Sequence, residues 1–208
     1  MYEEVLEKRT KHILDEIAKL DVLKDFYLAG GTALSLQFGH RKSIDLDWFS
    51  SKHFSIEKIK NQLEKIGTLK IIEEEDDERA TLSCALDGVK LSFFEYKYKN
   101  LFPFIKYNKA KLSDPRDIAC MKISAISSRG SKKDFIDLYF LLEKFSLKEI
   151  LKLFDKKYKG IKYNHLHLLK SLSYFETAEK EPMPVMIKGV SWNETKKEIN
   201  QKVKEYLK

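Results

Sequence analysis

Two short segments constrain this chain more than anything else in it. The first is Asp25-Phe26-Tyr27-Leu28-Ala29-Gly30-Gly31-Thr32-Ala33-Leu34, and the second is Ser43-Ile44-Asp45-Leu46-Asp47-Trp48-Phe49. The apolar run before Gly30 is rich in strand formers and a helical pattern resumes at Thr32, so the first segment reads strand, glycine turn, helix. A Gly-Gly turn lets an anion approach the backbone, and the helix start after it offers unpaired N–H groups and a positive dipole end. The Thr32 hydroxyl lies beside that turn. The second segment alternates polar and apolar residues, so as a strand it places Asp45 and Asp47 on one face and Ile44, Leu46 and Trp48 on the other. Two carboxylates on one face can share divalent cations that bridge a triphosphate and an attacking hydroxyl. Taken singly, the glycines fit a packing turn and the aspartates a solvated strand face. Their order and spacing together outline phosphate and metal chemistry.

The rest of the chain supplies a frame for these segments. Residues 2–20 carry Val5, Leu6, Ile13, Leu14, Ile17 and Leu20 at helical spacing, and residues 55–66 form a second helical pattern with Gly67 as its stop. Asp87-Gly88 between ATLSCAL and VKLSFFEYKY predicts a tight hairpin. The acidic cluster Glu73–Glu78 ahead of it reads as a solvated loop. After Pro103 the pattern turns helical. Ser113-Asp-Pro opens one helix, KDFIDLYFLLEKF follows Gly130, and YNHLHLLKSLSYF follows in turn. Ser146 with Glu149 and Ser191 with Glu194 fit capping boxes. His165 and His167 point to different faces of their helix, a poor arrangement for one metal.

A chain of 208 residues has room for one core with an appended lobe, and 43% hydrophobic residues suffice to fill it. No run approaches the roughly 20 apolar residues of a membrane-spanning helix, and the first ten residues are charged where a signal peptide is apolar. A cytoplasmic protein without a membrane partner is expected. Cys84 and Cys120 are too few for a disulfide framework and read as small buried hydrophobes. Of the net charge of +7, nearly all falls in residues 151–208, where thirteen lysines and no arginine face seven acidic residues. Such a basic lobe suits a polyanion such as RNA, or simply a solvated lysine-rich surface.

The stretch GGTAL…RKSIDLDWF resembles the signature of the polymerase-beta-like nucleotidyltransferase superfamily, and within it the AbiEii/AbiGii-type toxin family. SDPRDIACMKISAISSRGSKKDFIDLYFLLEKF resembles that family's helical motif. The resemblance implies an α+β fold: a nucleotidyltransferase-like mixed sheet with flanking helices over residues 1–110, and a C-terminal helical lobe over residues 111–208 that completes the cleft. It implies a nucleotidyltransferase using Mg2+ or Mn2+ that moves a nucleotidyl group from an NTP to an acceptor hydroxyl. The acceptor would be RNA, at a tRNA 3′ end, and the setting a toxin–antitoxin or phage-defence system with a cognate antitoxin.

Position by position, the resemblance makes Gly30, Gly31 and Thr32 the phosphate-side turn and Asp45 and Asp47 the metal ligands and catalytic carboxylates. Lys122 faces the nucleotide and Asp134 stands near the cleft, with Asp137 following at i+3. Arg41, Ser43 and Arg129 join the nucleotide-binding set, since a guanidinium reaches phosphate oxygens bidentately. The residues themselves leave other roles open. Arg41 also suits a backbone clamp, and Asp134 with Asp137 can pair with Lys132, Lys133 or Arg129 to join two helices. Many superfamily members carry a third carboxylate on a later strand, and the aligned position here is Ser92, which is no base at neutral pH. A nucleotide- or RNA-binding module without turnover is therefore the alternative, as is a small-molecule or protein acceptor.

Overall fold

The computed structural model describes residues 1–75 and 80–208. A turn of 3-10 helix (Glu3–Val5) leads into α1 (Lys8–Ile17), whose apolar stripe buries Ile13, Leu14 and Ile17. The two-residue strand β1 (Tyr27–Leu28) runs directly into α2 (Gly30–Phe38), which ends at Gly39 in the left-handed conformation. β2 (Leu46–Ser50) alternates buried and half-buried positions as a pleated strand must. Ser55 caps α3 (Ile56–Leu63) by accepting from the Lys58 N–H. Gly67, expected as a helix stop, is not left-handed; a side chain there would collide with the Asp87 carboxylate, whose Oδ1 accepts from the Thr68 N–H at 2.9 Å.

β3 (Leu69–Glu75) stands outside the expected elements. Lys70 to Glu75 are all exposed, so no apolar alternation marks the strand, and its pairing with the next one holds it in place. Glu73–Glu75, expected in a loop, form its end, while residues 76–78 of the same acidic cluster lie outside the described residues. β4 (Thr81–Leu86) and β5 (Val89–Glu95) make the expected hairpin, with Asp87 at φ 47 and Gly88 at φ 82 as the turn requires. β6 (Ile105–Tyr107) and β7 (Ala110–Leu112) are a second, three-residue hairpin.

The remaining helices are α4 (Pro115–Ser128), α5 (Lys132–Leu142), α6 (Leu147–Lys157), α7 (His165–Leu172), the single turn α8 (Glu176–Glu179) and α9 (Trp192–Leu207). Asp114, not Ser113, caps α4, accepting from the Arg116 N–H beside Pro115. Both capping boxes form as expected, at Ser146–Glu149 and Ser191–Glu194.

The strands form one mixed sheet in the order β3-β4-β5-β2-β1-β7-β6. β2 lies centrally, parallel to β5 and antiparallel to β1, while β7 runs parallel to β1 through Leu28 and Leu112. The expected boundary at 110/111 falls within β7. One hydrophobic cluster runs from Leu14 and Leu46 through Leu112 to Phe135, Phe154 and Ile199, so sheet and helices share a core. The chain between α8 and α9 returns to the sheet side. Lys42 N–H donates to the Val185 carbonyl at 2.8 Å, and the Ile187 and Lys188 N–H groups donate to the His40 carbonyl at 2.9 and 3.0 Å. From the other side, Ser43 N–H donates to the Val5 carbonyl at 3.1 Å. Segments near both ends of the chain thereby clamp the approach to Asp45. Among the described residues, no helix is long and apolar enough to cross a membrane.

Candidate active site

The glycine turn and the aspartate strand meet at the start of α2. Ala29 N–H donates to the Asp47 carbonyl at 3.1 Å, which pins the turn to β2. Gly30 sits at φ 68, and a Cβ there would stand 2.9 Å from Asp47 Oδ2; at Gly31 a Cβ would stand 2.1 Å from Arg41 Nη2. A side chain at either place would need the carboxylate or the guanidinium to shift, and at Gly30 the positive φ adds backbone strain. Ala29 offers no side-chain cap, so the first turn of α2 presents its amide N–H groups uncapped by the preceding residue. The Thr32 hydroxyl donates to the Asp45 carbonyl and lies 2.7 Å from Ser43 Oγ. Thr32 and Ser43, both buried, thus tie α2 to the segment entering β2.

Asp45 lies one residue before β2 and Asp47 within it, both half-buried. Burial, then the neighbouring Asp45 charge, pushes the Asp47 carboxyl up, and Lys122, Lys133 and Arg129 oppose that shift. A carboxylate whose ionisation a neighbouring carboxylate opposes is suited to sharing a cation with it. Lys133 supplies part of that charge, with its ammonium 3.5 Å from Asp45 Oδ2. In the β2–β5 pairing Asp47 is in register with Ser92, and Ser92 in turn with Ser83 of β4. Ser92 therefore occupies the sheet position beside Asp47. Glu95 is engaged elsewhere, with His53 at 2.8 Å and the Ala80 N–H at 3.3 Å.

Behind the carboxylates lies a buried cluster of charges. Asp137, fully buried, accepts from Arg41 through Nε at 2.7 Å and Nη2 at 2.9 Å, and from His40 Nε2 at 2.8 Å. Lys122 Nζ lies 2.6 Å from Asp137 and 2.8 Å from Asp134. Asp134 also accepts from Arg129 Nε at 2.9 Å and from Ser131 Oγ at 2.6 Å. Burial alone would raise both aspartates. For Asp137 the charges of Arg41 and Lys122 outweigh it, and for Asp134 those of Lys122 and Arg129, so both carboxyls are held well below the usual range. Burial likewise opposes the Lys122 ammonium, and Asp137 and Asp134 overcome it, leaving the side chain charged. Burial pushes the His40 imidazole down against the pull of Asp137, and its Nδ1 has no partner among the described residues.

Of the residues expected at the site, Gly30, Gly31, Asp45 and Asp47 come together at one spot. Lys122 and Arg41, expected to face the nucleotide, are instead drawn into the aspartate cluster, their side chains 6% and 5% exposed. Asp137 holds Arg41 through both of its oxygens, and Asp134 and Asp137 hold Lys122 between them. Arg129 bonds Asp134 but keeps its side chain 64% exposed, and its charge acts on the Asp47 carboxyl. The expected alternative, in which Asp134 pairs with Arg129 to join two helices, is realised at the α4–α5 junction. His40 on Asp137 and Lys133 beside Asp45 stand at the site without being among the expected site residues. His40 is adjacent to Arg41, and Lys133 precedes Asp134, but neither position carries a spacing signal. His165 pairs with Asp155 on the surface, away from any metal cluster.

Among the described residues no group of three or more His, Cys, Asp or Glu side chains gathers around one point. The Asp45 and Asp47 carboxylates supply oxygen donors of the kind that a hard divalent cation takes.

Residues 12–102 and 95–206 match the family described as nucleotidyl transferase AbiEii toxin, type IV TA system. Over 208 aligned residues the chain is 42% identical to protein aq_aa25 of Aquifex aeolicus strain VF5, covering 97% of this chain and 98% of that one. In fold it is similar to JHP933 from Helicobacter pylori, with a TM-score of 0.56 and 19% identity over 96% of this chain and 92% of that one. It is also similar to MenT4, the nucleotidyltransferase toxin Rv2826c of Mycobacterium tuberculosis H37Rv, with a TM-score of 0.55 and 13% identity over 93% and 83% of the two chains.

Proposed function

The chain belongs to the nucleotidyl transferase AbiEii toxin family of type IV toxin–antitoxin systems, and from this we propose that it moves a nucleotidyl group from an NTP to an acceptor hydroxyl on RNA, at a tRNA 3′ end. The acceptor hydroxyl gives up its proton to solvent as its oxygen bonds to the α-phosphorus, the bond from that phosphorus to the α–β bridging oxygen breaks, and pyrophosphate leaves. The observation that carries this reading is the meeting of Asp45 and Asp47 with the uncapped, glycine-lined start of α2.

In this reading Asp45 and Asp47 hold Mg2+ or Mn2+, which supplies charge neutralisation at the phosphates when bound. The Gly30–Gly31 turn admits phosphate oxygens to the α2 amides, and Arg129 adds an exposed donor. Thr32 and Ser43 hold the two halves of the site in register. Lys122, Asp134, Asp137, Arg41 and His40 set the position and charge of the wall behind them. The lysines of residues 151–208 favour a polyanionic acceptor, and the family's type IV toxin–antitoxin description supports a cognate antitoxin; a cytoplasmic setting in phage defence completes the proposal.

The test is incubation of the protein with total tRNA, Mg2+ and each labelled NTP in turn, beside the Asp45→Ala/Asp47→Ala variant. Label in RNA from the wild type alone supports the reading. Ser92 beside Asp47 favours one second reading, a binding module without turnover, because a serine cannot take the hydroxyl's proton at neutral pH. Metal-dependent nucleotide binding without any labelled product would select it.

A further inference from the structure

The cations that ought to meet a triphosphate are unequally available. Lys122 and Arg41 are buried and held by Asp134 and Asp137, contacts that fix α4, α5 and the segment before β2 relative to one another. Releasing either to a ligand would take one charge partner away from a buried aspartate, which is costly. Lys133 is placed differently. It lies in the first turn of α5, next to Asp134, whose bonds to Lys122, Arg129 and Ser131 anchor that turn. Its side chain is 50% exposed, and its ammonium stands 3.5 Å from Asp45 Oδ2, beyond hydrogen-bond distance. Asp45 is itself 30% exposed, so this pair is loose and wet, the kind that contributes little to stability and exchanges readily.

Resting on the nucleotidyl-transfer reading, we propose that Lys133 is a phosphate-binding cation of this site beside Arg129, resting on Asp45 in the free protein and moving to the triphosphate when a divalent ion takes the Asp45 carboxylate. Lysine suits the task. It is a compact point charge on a flexible stem, able to swing between two anions a few ångströms apart. While it rests on Asp45 it competes with the divalent ion for the same oxygen. Once the ion is bound, the ammonium has no reason to stay and the incoming phosphates offer a better partner. Removing Lys133 therefore acts in opposite directions on two ligands: the bare metal binds as well or better, and the triphosphate binds worse. A residue that merely props up the site would weaken both.

The experiment uses the full chain and inorganic triphosphate, a probe that needs no knowledge of the base. Wild type, Lys133→Met and Lys133→Arg are compared by calorimetry for triphosphate in the presence of Mn2+, and by electron paramagnetic resonance for Mn2+ alone. Thermal melts confirm that the variants fold. Lys133→Met is expected to weaken triphosphate binding by about tenfold, the loss of one charge-assisted contact, with Mn2+ affinity unchanged or higher. Lys133→Arg is expected to restore most of the triphosphate affinity. Undiminished triphosphate binding by Lys133→Met would overturn the assignment while leaving nucleotidyl transfer intact, and so would a parallel loss of Mn2+ binding. Failure of the wild type to bind triphosphate or any NTP with Mn2+ would overturn both readings.

Discussion

Replacing Asp137 with asparagine tests whether the buried charge cluster holds this protein together. The substitution keeps one oxygen, which still accepts from Arg41 Nε and His40 Nε2, at 2.7 and 2.8 Å in the native cluster. It loses the second carboxylate oxygen, which receives Arg41 Nη2 at 2.9 Å and lies 2.6 Å from Lys122 Nζ. Hydrogen bonds to charged groups contribute about 1.5–3 kcal/mol each, so two of them come to about 3–6 kcal/mol. Breaking one side of a buried ion pair costs about 3–5 kcal/mol by a separate route, which agrees. For a chain of this length a melting temperature shifts by about 2–4 °C per kcal/mol, so a fall of about 10 °C is expected. Lys122→Met and Asp137→Asn together should cost less than the sum of the two single changes, because both remove the same Lys122–Asp137 contact. Thermal and urea unfolding of the four proteins in this cycle provide the measurement. A drop under about 3 °C for Asp137→Asn, or full additivity of the two changes, would refute the view that Asp137 neutralises buried cations.

Gly31→Ala should destabilise by about 1–3 kcal/mol, because its Cβ would stand 2.1 Å from a guanidinium that cannot leave Asp137 cheaply; an unchanged urea midpoint would show that Arg41 has another place to go. Asp47→Asn should abolish Mn2+ binding and activity yet leave the melting temperature equal or higher, since burial and Asp45 already disfavour the Asp47 charge; a marked fall in stability would assign Asp47 to the fold. Acid should weaken the fold through Asp134 and Asp137. Both are held below the ordinary aspartate value of about 3.9, so the unfolded chain binds more protons than the native one as pH drops through that value. Their stabilisation is complete at neutral pH and is lost progressively below about pH 4–5. The melting temperature of Asp137→Asn should fall less steeply between pH 6 and pH 3 than that of the wild type; parallel curves would count against it.

Local chemistry made much of this molecule legible in advance. The Asp87-Gly88 hairpin, both capping boxes, the glycine turn into α2 and the amphipathic α1 depend on residues within a few positions of each other, and each forms as its spacing demands. Alternation in SIDLDWF holds from Leu46 onward, whereas Asp45 precedes the strand and Ile44, expected on the face of Leu46 and Trp48, is exposed. β3, β6 and β7 were not legible, because an exposed acidic strand and two three-residue strands exist only through pairing with a neighbour. Sequence also showed that Lys122, Asp134, Asp137 and Arg41 were charged and suitably typed for a phosphate site. Which of them faces solvent and which faces another charge was decided by packing. Arg41 meets Asp137 across 96 positions of chain, and no periodicity reports a contact of that separation. Residue types determined by themselves the chemistry available: two carboxylates, a glycine turn and a set of cations. The tertiary structure alone decided the assignments, since burial makes paired charges structural and leaves the exposed Lys133, beside Asp45, free to exchange partners.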